Sequence, residues 1–126
     1  MSDGKRNALN WFEIPSADFQ RAKKFYETIM GAEMHATKMG DYDMAFFPMD
    51  EGKVGGAVIH HTMMKPSTEG TTVYLNANPD LTAVLDRVGK AGGQVMVPKT
   101  QITPEIGYFA MFVDSEGNKV ALHSQA

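Results

Sequence analysis

Residues Gly107–His123 read GYFAMFVDSEGNKVALH: an apolar or aromatic run from Tyr108 to Val113, then Asp-Ser-Glu-Gly-Asn, then a second, partly alternating apolar run. Physically that is strand, tight polar turn and strand, with Gly117 and Asn118 placed to supply the positive φ of a hairpin turn. Moved back by 65 positions, the stretch matches an earlier part of the chain: Ala110 falls on Ala45, Phe112 on Phe47, Glu116 on Glu51 and Gly117 on Gly52. Met44–Val58 therefore reads as an earlier copy of the same hairpin, and the chain as a duplication.

Working outward, Leu9–Ile14 is a short β-type run closed by Pro15. Its alternation sets Trp11 and Glu13 on one face, Phe12 and Ile14 on the other. Asp18 is placed to cap a helix running to about Met30. Ala22, Phe25, Tyr26 and Ile29 form its apolar stripe, and Gly31 stands where a C′ glycine stops a helix. A weaker strand, Glu33–Lys38, leads into the first hairpin. After a linker, 63–70, the pattern restarts with a strand over Thr72–Asn76. A helix follows from Asn78-Pro79-Asp80, with Pro79 in its first turn and a stripe of Leu81, Val84, Leu85 and Val88. Gly92-Gly93 ends it, Val95–Val97 is a strand, and Pro98–Glu105 reads as a loop. In this front portion the offset is 62 (Asp18 on Asp80, Trp11 on Val73), and the Pro98–Glu105 loop takes the three extra residues. The units are 8–62 and 71–124, each β-α-β-β-β, in a single domain. A lone unit would leave one sheet face uncovered, so the two must cover each other.

Composition narrows the function. The chain has 126 residues, 43% apolar and 21% charged, as in one ordinary globular domain. A net charge of −3 and one small basic cluster (Arg21, Lys23, Lys24, broken by Glu27) argue against a nucleic-acid partner. The cluster reads as a solvated helix face. With no cysteine, disulfides, zinc ribbons and thiol catalysis are excluded. The start, MSDGKRNALN, has no signal-like apolar core, and its residues Met1–Asn7 read as frayed. No run approaches the ~18 residues of a membrane span. A soluble, cytoplasmic protein with no membrane partner is expected. Phosphate-binding loops, H-E-x-x-H and G-x-S-x-G are all absent.

Trp11-Phe-Glu-Ile-Pro, Asp18, Arg21-Ala22, Phe25-Tyr26 and Gly31 resemble the opening of the vicinal oxygen chelate superfamily. So do Gly92-Gly93, Val97-Pro98-Lys99, Gly107–Ala110 and Asp114–Asn118 in the second half. This is the glyoxalase, bleomycin-resistance and extradiol-dioxygenase group, and the chain looks closest to its uncharacterised glyoxalase-related branch. The resemblance implies an α+β fold, two tandem βαβββ units forming a curved mixed sheet around a cup. It also implies a homodimer, with cups formed or shared across a two-fold axis. Members of this group usually hold a divalent metal in the cup. One ligand of each unit stands seven residues before the helix-opening Asp, the other four after the turn glycine. Here those places are Trp11, Val73, Gly56 and Ala121. None is a ligand for a hard or borderline cation. A one-residue slip turns the side chain to the other face. No metal and no other cofactor is therefore expected.

If those positions face inward, parity places Glu13, Leu75, His123, Val58 and His60 in the cup as well. The expected binding set is Trp11, Glu13, Val58, His60, Val73, Leu75, Tyr108, Ala121 and His123, with Tyr108 as a polar contact. A carboxylate beside an indole suits acid–base work, so Glu13 with His123 as partner is the candidate catalytic pair. The plainer reading makes Glu13 a hydrogen-bonded or ligand-orienting group. Trp11 is either a stacking platform or filler where a ligand was lost. His60 and His61 point to opposite faces of a strand and cannot share an ion. His35 stands alone as a surface or satisfied histidine. Most of the ten methionines fill core, with Met44 or Met111 as pocket residues. Lys99 and Ile102–Ile106 suggest a lid by position.

The expected function is metal-free binding of a small amphipathic or aromatic molecule in the cup, with a cationic ligand also suggested by the mild acidity. One alternative is a metal-independent lyase or isomerase using Glu13. Another is a metal-dependent glyoxalase-like lyase with an unconventional Glu13, His60 and His123 site.

Overall fold

Asp18 opens the first helix by accepting a hydrogen bond from the Arg21 amide at 3.1 Å, and Gly31 closes it in the left-handed conformation at φ 67°. Between them α1 (Phe19–Met30) buries the stripe Ala22, Phe25, Tyr26 and Ile29 expected from its spacing. The computed structural model describes Gly4 and residues 6–126; the remaining N-terminal positions of the segment expected to fray lie outside the described residues.

Around α1 run β1 (Trp11–Pro15), β2 (His35–Met39), β3 (Tyr42–Phe46) and β4 (Gly55–His60), in sheet order β1-β4-β3-β2. The second unit has β5 (Tyr74–Asn76), α2 (Thr82–Ala91), β6 (Gln94–Thr103), β7 (Gly107–Val113) and β8 (Lys119–Ser124), ordered β5-β8-β7-β6. In both sheets the first strand pairs parallel with the last and the others pair antiparallel. The two halves thus repeat one topology, an α+β arrangement of two βαβββ units. No helix among the described residues is long and apolar enough to cross a membrane.

One face of each sheet is covered by the helices. Ile14, Ala45 and Val58 from the first sheet and Leu75, Ala110, Phe112 and Leu122 from the second share one core with both helices. Arg87 of α2 donates to the Ile29 carbonyl at the end of α1, at 3.1 Å.

Three local expectations change. Pro98–Glu105 is not a loop: β6 continues to Thr103, with register shifts after Val95, Val97 and Gln101. Pro98 is tolerated because β6 is a sheet edge and is bulged there. Lys99, suggested as part of a lid, lies on this strand and is held by Asp80 at 2.9 Å. Two hydrogen bonds from Thr82 and one from Lys99 lower the Asp80 carboxyl to about 2. Pro79 does not sit in the first turn of α2. The Asn78–Pro79 peptide is cis, and the helix starts at Thr82. Only Gly117 takes positive φ (95°) in the last hairpin; Asn118 has none.

The side chain of Asn118 instead ties the halves together. Its amide donates to the Pro15 carbonyl (2.7 Å) and to Asp114 (3.0 Å). Buried Asp114 also accepts from the Tyr26 hydroxyl (2.6 Å) and from the Glu116 and Asn118 amides. Burial first, then the Asp114 charge and bond, push the Tyr26 hydroxyl well above its ordinary value. Beside this cluster Glu116 accepts from the Ala17 and Asp18 amides at the start of α1 and from Arg21. Burial raises the Glu116 carboxyl, but the Arg21, Asp18 and Ser115 hydrogen bonds outweigh it and leave it below the usual range.

Two expectations follow for urea denaturation. Tyr26→Phe loses about 1–2 kcal/mol, whereas Asp114→Ala, which strands several buried donors, loses about 3 kcal/mol or more. The carboxylate bonds of Glu116 stabilise the fold fully above its unfolded pKa, roughly 4.3. As pH falls through its lower folded pKa that contribution is lost. The stability gap between wild type and Glu116→Gln is therefore widest near neutrality and closes in acid. A gap independent of pH contradicts this assignment.

Candidate functional site

The strand registers decide which side chains share the open faces, away from the helices. Trp11 pairs with Gly55 and Glu13 with Ala57, whereas Ile14 pairs with Val58 in the core row. Across β3, Met44 pairs with Ile59 and Phe46 with Ala57. The open face of the first sheet thus carries Trp11, Glu13, Gly55, Ala57, Ile59, Met44 and Phe46. In the second sheet Tyr74 pairs with Ala121, Asn76 with His123, Met111 with Ala121 and Phe109 with His123. Those residues form the corresponding open face.

Trp11 and Phe46 meet edge to face at 6.0 Å although β4 runs between their strands. They reach each other because β4 presents only Gly55 and Ala57 beneath them. His35 stacks on the far side of Phe46 at 6.5 Å. The Sδ of Met49 lies 2.1 Å from where a Cβ of Gly55 would be, so the thioether fills the space that glycine leaves. Trp11 remains 39% exposed, Met49 54% and Tyr74 53%. The Trp11 indole N–H donates to Glu13 Oε2 at 3.2 Å, holding an exposed carboxylate beside an exposed ring.

A cavity of about 670 Å³ opens between β1 and the Thr71–Asn76 segment. Trp11, Glu13 and Gly55 line one side, Tyr74 and Asn76 the other. Val73 and Leu75 also reach its wall, but from the core side of β5. Their expected inward direction is corrected by the register: Leu75 pairs with Leu122 and is buried.

Other expected site residues are placed elsewhere. Val58 is fully buried under the helices, because it pairs with Ile14 rather than with Glu13. His60 follows it on that face and donates from Nδ1 to the Ser16 carbonyl at 2.9 Å. His61 stacks on Tyr42 at 4.5 Å and accepts the Met63 amide, so the adjacent histidines diverge. Tyr108 lies against the core, with the Lys99 ammonium 4.7 Å from its ring centre. It does not line the cavity. Ala121 and His123 do face the open side, yet His123 donates from Nε2 to the Ile106 carbonyl at 2.7 Å. No hydrogen bond joins it to Glu13. Sequence parity missed Met49, Tyr74 and Asn76; the alternation Val73-Tyr74-Leu75-Asn76, with the polar-tipped residues on one side, was the available signal for the last two.

Register also moves two of the four expected chelating places. Ile14, Ala45 and Val58 occupy in the first unit what Leu75, Ala110 and Leu122 occupy in the second. The equivalent of Ala121 is thus Ala57 rather than Gly56, and that of Trp11 is Thr72 rather than Val73. Indole, methyl, hydroxyl and methyl do not make a divalent-metal site. Among the described residues no three His, Asp or Glu stand together as a metal group.

Two sheets of four mixed strands, each backed by one helix and opening on a cavity at their shared border, define a paired βαβββ cup protein. The model of the Glyoxalase/Bleomycin resistance protein/Dioxygenase superfamily matches residues 8–122, and the chain belongs to that superfamily. A glyoxylase-like domain-containing protein of Didymella fabae is 29% identical over 124 residues, covering 90% of this chain and 91% of that one. CFP32 of Mycobacterium tuberculosis is 31% identical over 96% of this chain, which spans 47% of its length. Among solved structures, a glyoxalase/bleomycin resistance protein from Albidiferax ferrireducens superposes with TM-score 0.70 at 17% identity, over 95% of this chain and all (100%) of that one. TnmS3, an antibiotic binding protein from a Streptomyces species, gives 0.66 at 21% identity, over 97% and 98% of the two chains. At those identities the structural likeness is one of fold.

The small residues on β4 predict distinct defects. A Cβ at Gly56 would lie 2.4 Å from the Phe12 ring, so Gly56→Ala overpacks the core and destabilises by about 1–3 kcal/mol in denaturant titration. Gly55→Ala displaces only the exposed Met49 thioether. It leaves stability within about 1 kcal/mol and shifts the emission of Trp11.

Proposed function

We propose that the protein binds a small amphipathic molecule with a flat apolar body in the cavity between β1 and β5, without a metal ion. The observation that carries this reading is the pairing of the half-exposed Trp11 ring with the Glu13 carboxylate on one cavity wall. An aromatic face gives area and dispersion contact at little conformational cost. The carboxylate accepts a hydrogen bond from a donor on the ligand and so fixes its orientation. The donor-poor places where a metal would be bound support the metal-free part. The shared fold of an antibiotic binding protein supports a binding role for this architecture.

Trp11 is the chain's only tryptophan, so its fluorescence reports on this wall directly. Titration with planar aromatic amines should change Trp11 emission with saturable affinity. A Tyr74→Ala variant should weaken binding about tenfold, on the scale of one lost stacking contact. Exhaustive dialysis against a chelator should leave affinity unchanged. Stoichiometric metal whose removal abolishes binding would overturn the metal-free reading.

Glu13 also separates binding from catalysis. If Glu13→Gln weakens an amine ligand several-fold while no isomerised or cleaved product forms in either protein, the carboxylate is an anchor. A turnover that falls about a hundredfold in this variant while binding persists would instead make it an acid–base group. The same reading takes the chain as a homodimer, with a solution mass twice the 13.8 kDa of one chain in light scattering.

A further inference from the structure

A second cavity, of about 210 Å³, adjoins the first along the border between the sheets. The two share Glu13, Thr71 and Val73 as walls. Their chemistry differs. The larger one has aromatic and aliphatic sides, whereas the smaller sets Lys65, Lys119, Ser67 and Asn118 beside an apolar wall of Ile14, Pro15, Val73 and Val120.

Both lysines lack a carboxylate within ion-pair distance among the described residues, although acids outnumber bases over the whole chain by 15 to 12. Among the described residues Glu13 is the only acidic one of the lining, and it forms no ion pair with either lysine. The nearby Glu69 is not part of the wall. The linker that carries Lys65 is itself tied down. Ser67 N–H donates to Asn118 Oδ1 at 3.1 Å, and Lys119 N–H donates to the Ser67 carbonyl at 3.3 Å. The Ser67 hydroxyl accepts the Glu69 amide at 2.9 Å, which leaves its own proton to donate. Two ammonium groups and hydroxyl donors on the wall of a small hollow suit an anionic group.

We infer that the ligand of this site is an aromatic anion, its flat body against Trp11 in the larger cavity and its carboxylate, sulfonate or phosphate end between Lys65 and Lys119. This inference rests on the binding role proposed above and adds the charge and polarity of the ligand. Glu13, at the junction, then faces the middle of the molecule. There it accepts a hydrogen bond from a hydroxyl or amine and keeps the anionic end from sliding into the apolar part. The linker thereby joins the site instead of merely connecting the units.

Two dyes with the same ring skeleton provide the test. N-phenyl-1-naphthylamine is neutral, and 1-anilinonaphthalene-8-sulfonate adds one anionic group. With the wild-type chain, the sulfonate should bind about tenfold more tightly, both dyes being followed by energy transfer from Trp11. In Lys65→Gln/Lys119→Gln that preference should vanish while the neutral dye keeps its affinity. Equal binding of the dyes by wild type, or a preference that persists in the double variant, overturns the anionic assignment and leaves the apolar site standing. Failure of both dyes to engage Trp11 overturns the two readings together. Competition by 1-naphthyl phosphate and by 1-naphthylacetate then tells a phosphate end from a carboxylate one. Displacement by neither also overturns the assignment.

Discussion

Asp114 accepts four hydrogen bonds inside the protein, from the Tyr26 hydroxyl, the Asn118 side chain and the amides of Glu116 and Asn118. Such a charge is costly to bury and is tolerated only when its lone pairs are filled. The donors come from both halves: Tyr26 belongs to the first helix, the others to the last hairpin. The same hairpin reaches β1 through Asn118 and the Pro15 carbonyl, and the start of α1 through Glu116. Satisfying one carboxylate therefore fixes how the second unit sits against the first. The border between β1 and the segment leading into β5, where both cavities lie, inherits its geometry from that requirement.

On the open face, the decisive feature is what β4 lacks. A strand with Gly55 and Ala57 on one face forms a trough between β1 and β3, and rings from both sides lean across it. Larger groups at those two positions would hold Trp11 and Phe46 apart. The core face of that strand is equally tight, since Gly56 lies under the Phe12 ring and Phe12 packs on Phe47 at 5.4 Å. Glycines on successive positions thus serve two different layers: one admits a thioether beside the cavity, the other a phenyl ring beneath it.

Much of the fold was legible because its determinants are local. The cap at Asp18, the stop at Gly31 and the stripe between them follow from spacing alone. The equivalence of Ala45 with Ala110 and Phe47 with Phe112 holds in the buried rows. The candidate site was harder to read because it depends on parity across an entire duplication. Between equivalent strands the offset is 61 at β1 and β5, 62 in the helices, 65 at β3 and β7 and 64 at β4 and β8. Each single-residue change reverses the facing of a strand. Glu13 and Trp11, read within one strand, were placed correctly. Val58 and His60, transferred between strands, turn away from the open face, and Val73 and Leu75 reach the cavity only from the core side of β5. Pro98 concealed β6 for a related reason, since bulges remove the alternation by which a strand is recognised.

The corrected register bears on chemistry as much as on position. A slip of one residue usually threatens an argument from missing ligands, because the true ligand then stands one place along. Here the corrected places hold Ala57 and Thr72 where Gly56 and Val73 were expected, and the donor set gains only a hydroxyl. The nearest strong donor on that face is Glu13, whose Oε2 already takes the indole proton of Trp11. His123, the group best suited to assist it, spends its Nε2 proton on a backbone carbonyl. A carboxylate without a bonded imidazole can orient a ligand by accepting one hydrogen bond, which asks less of the site than turnover does. On the proposed reading, the two lysines on the other side of Glu13 make that orientation polar, since an apolar end, one acceptor and a cationic end together select a ligand by shape and charge.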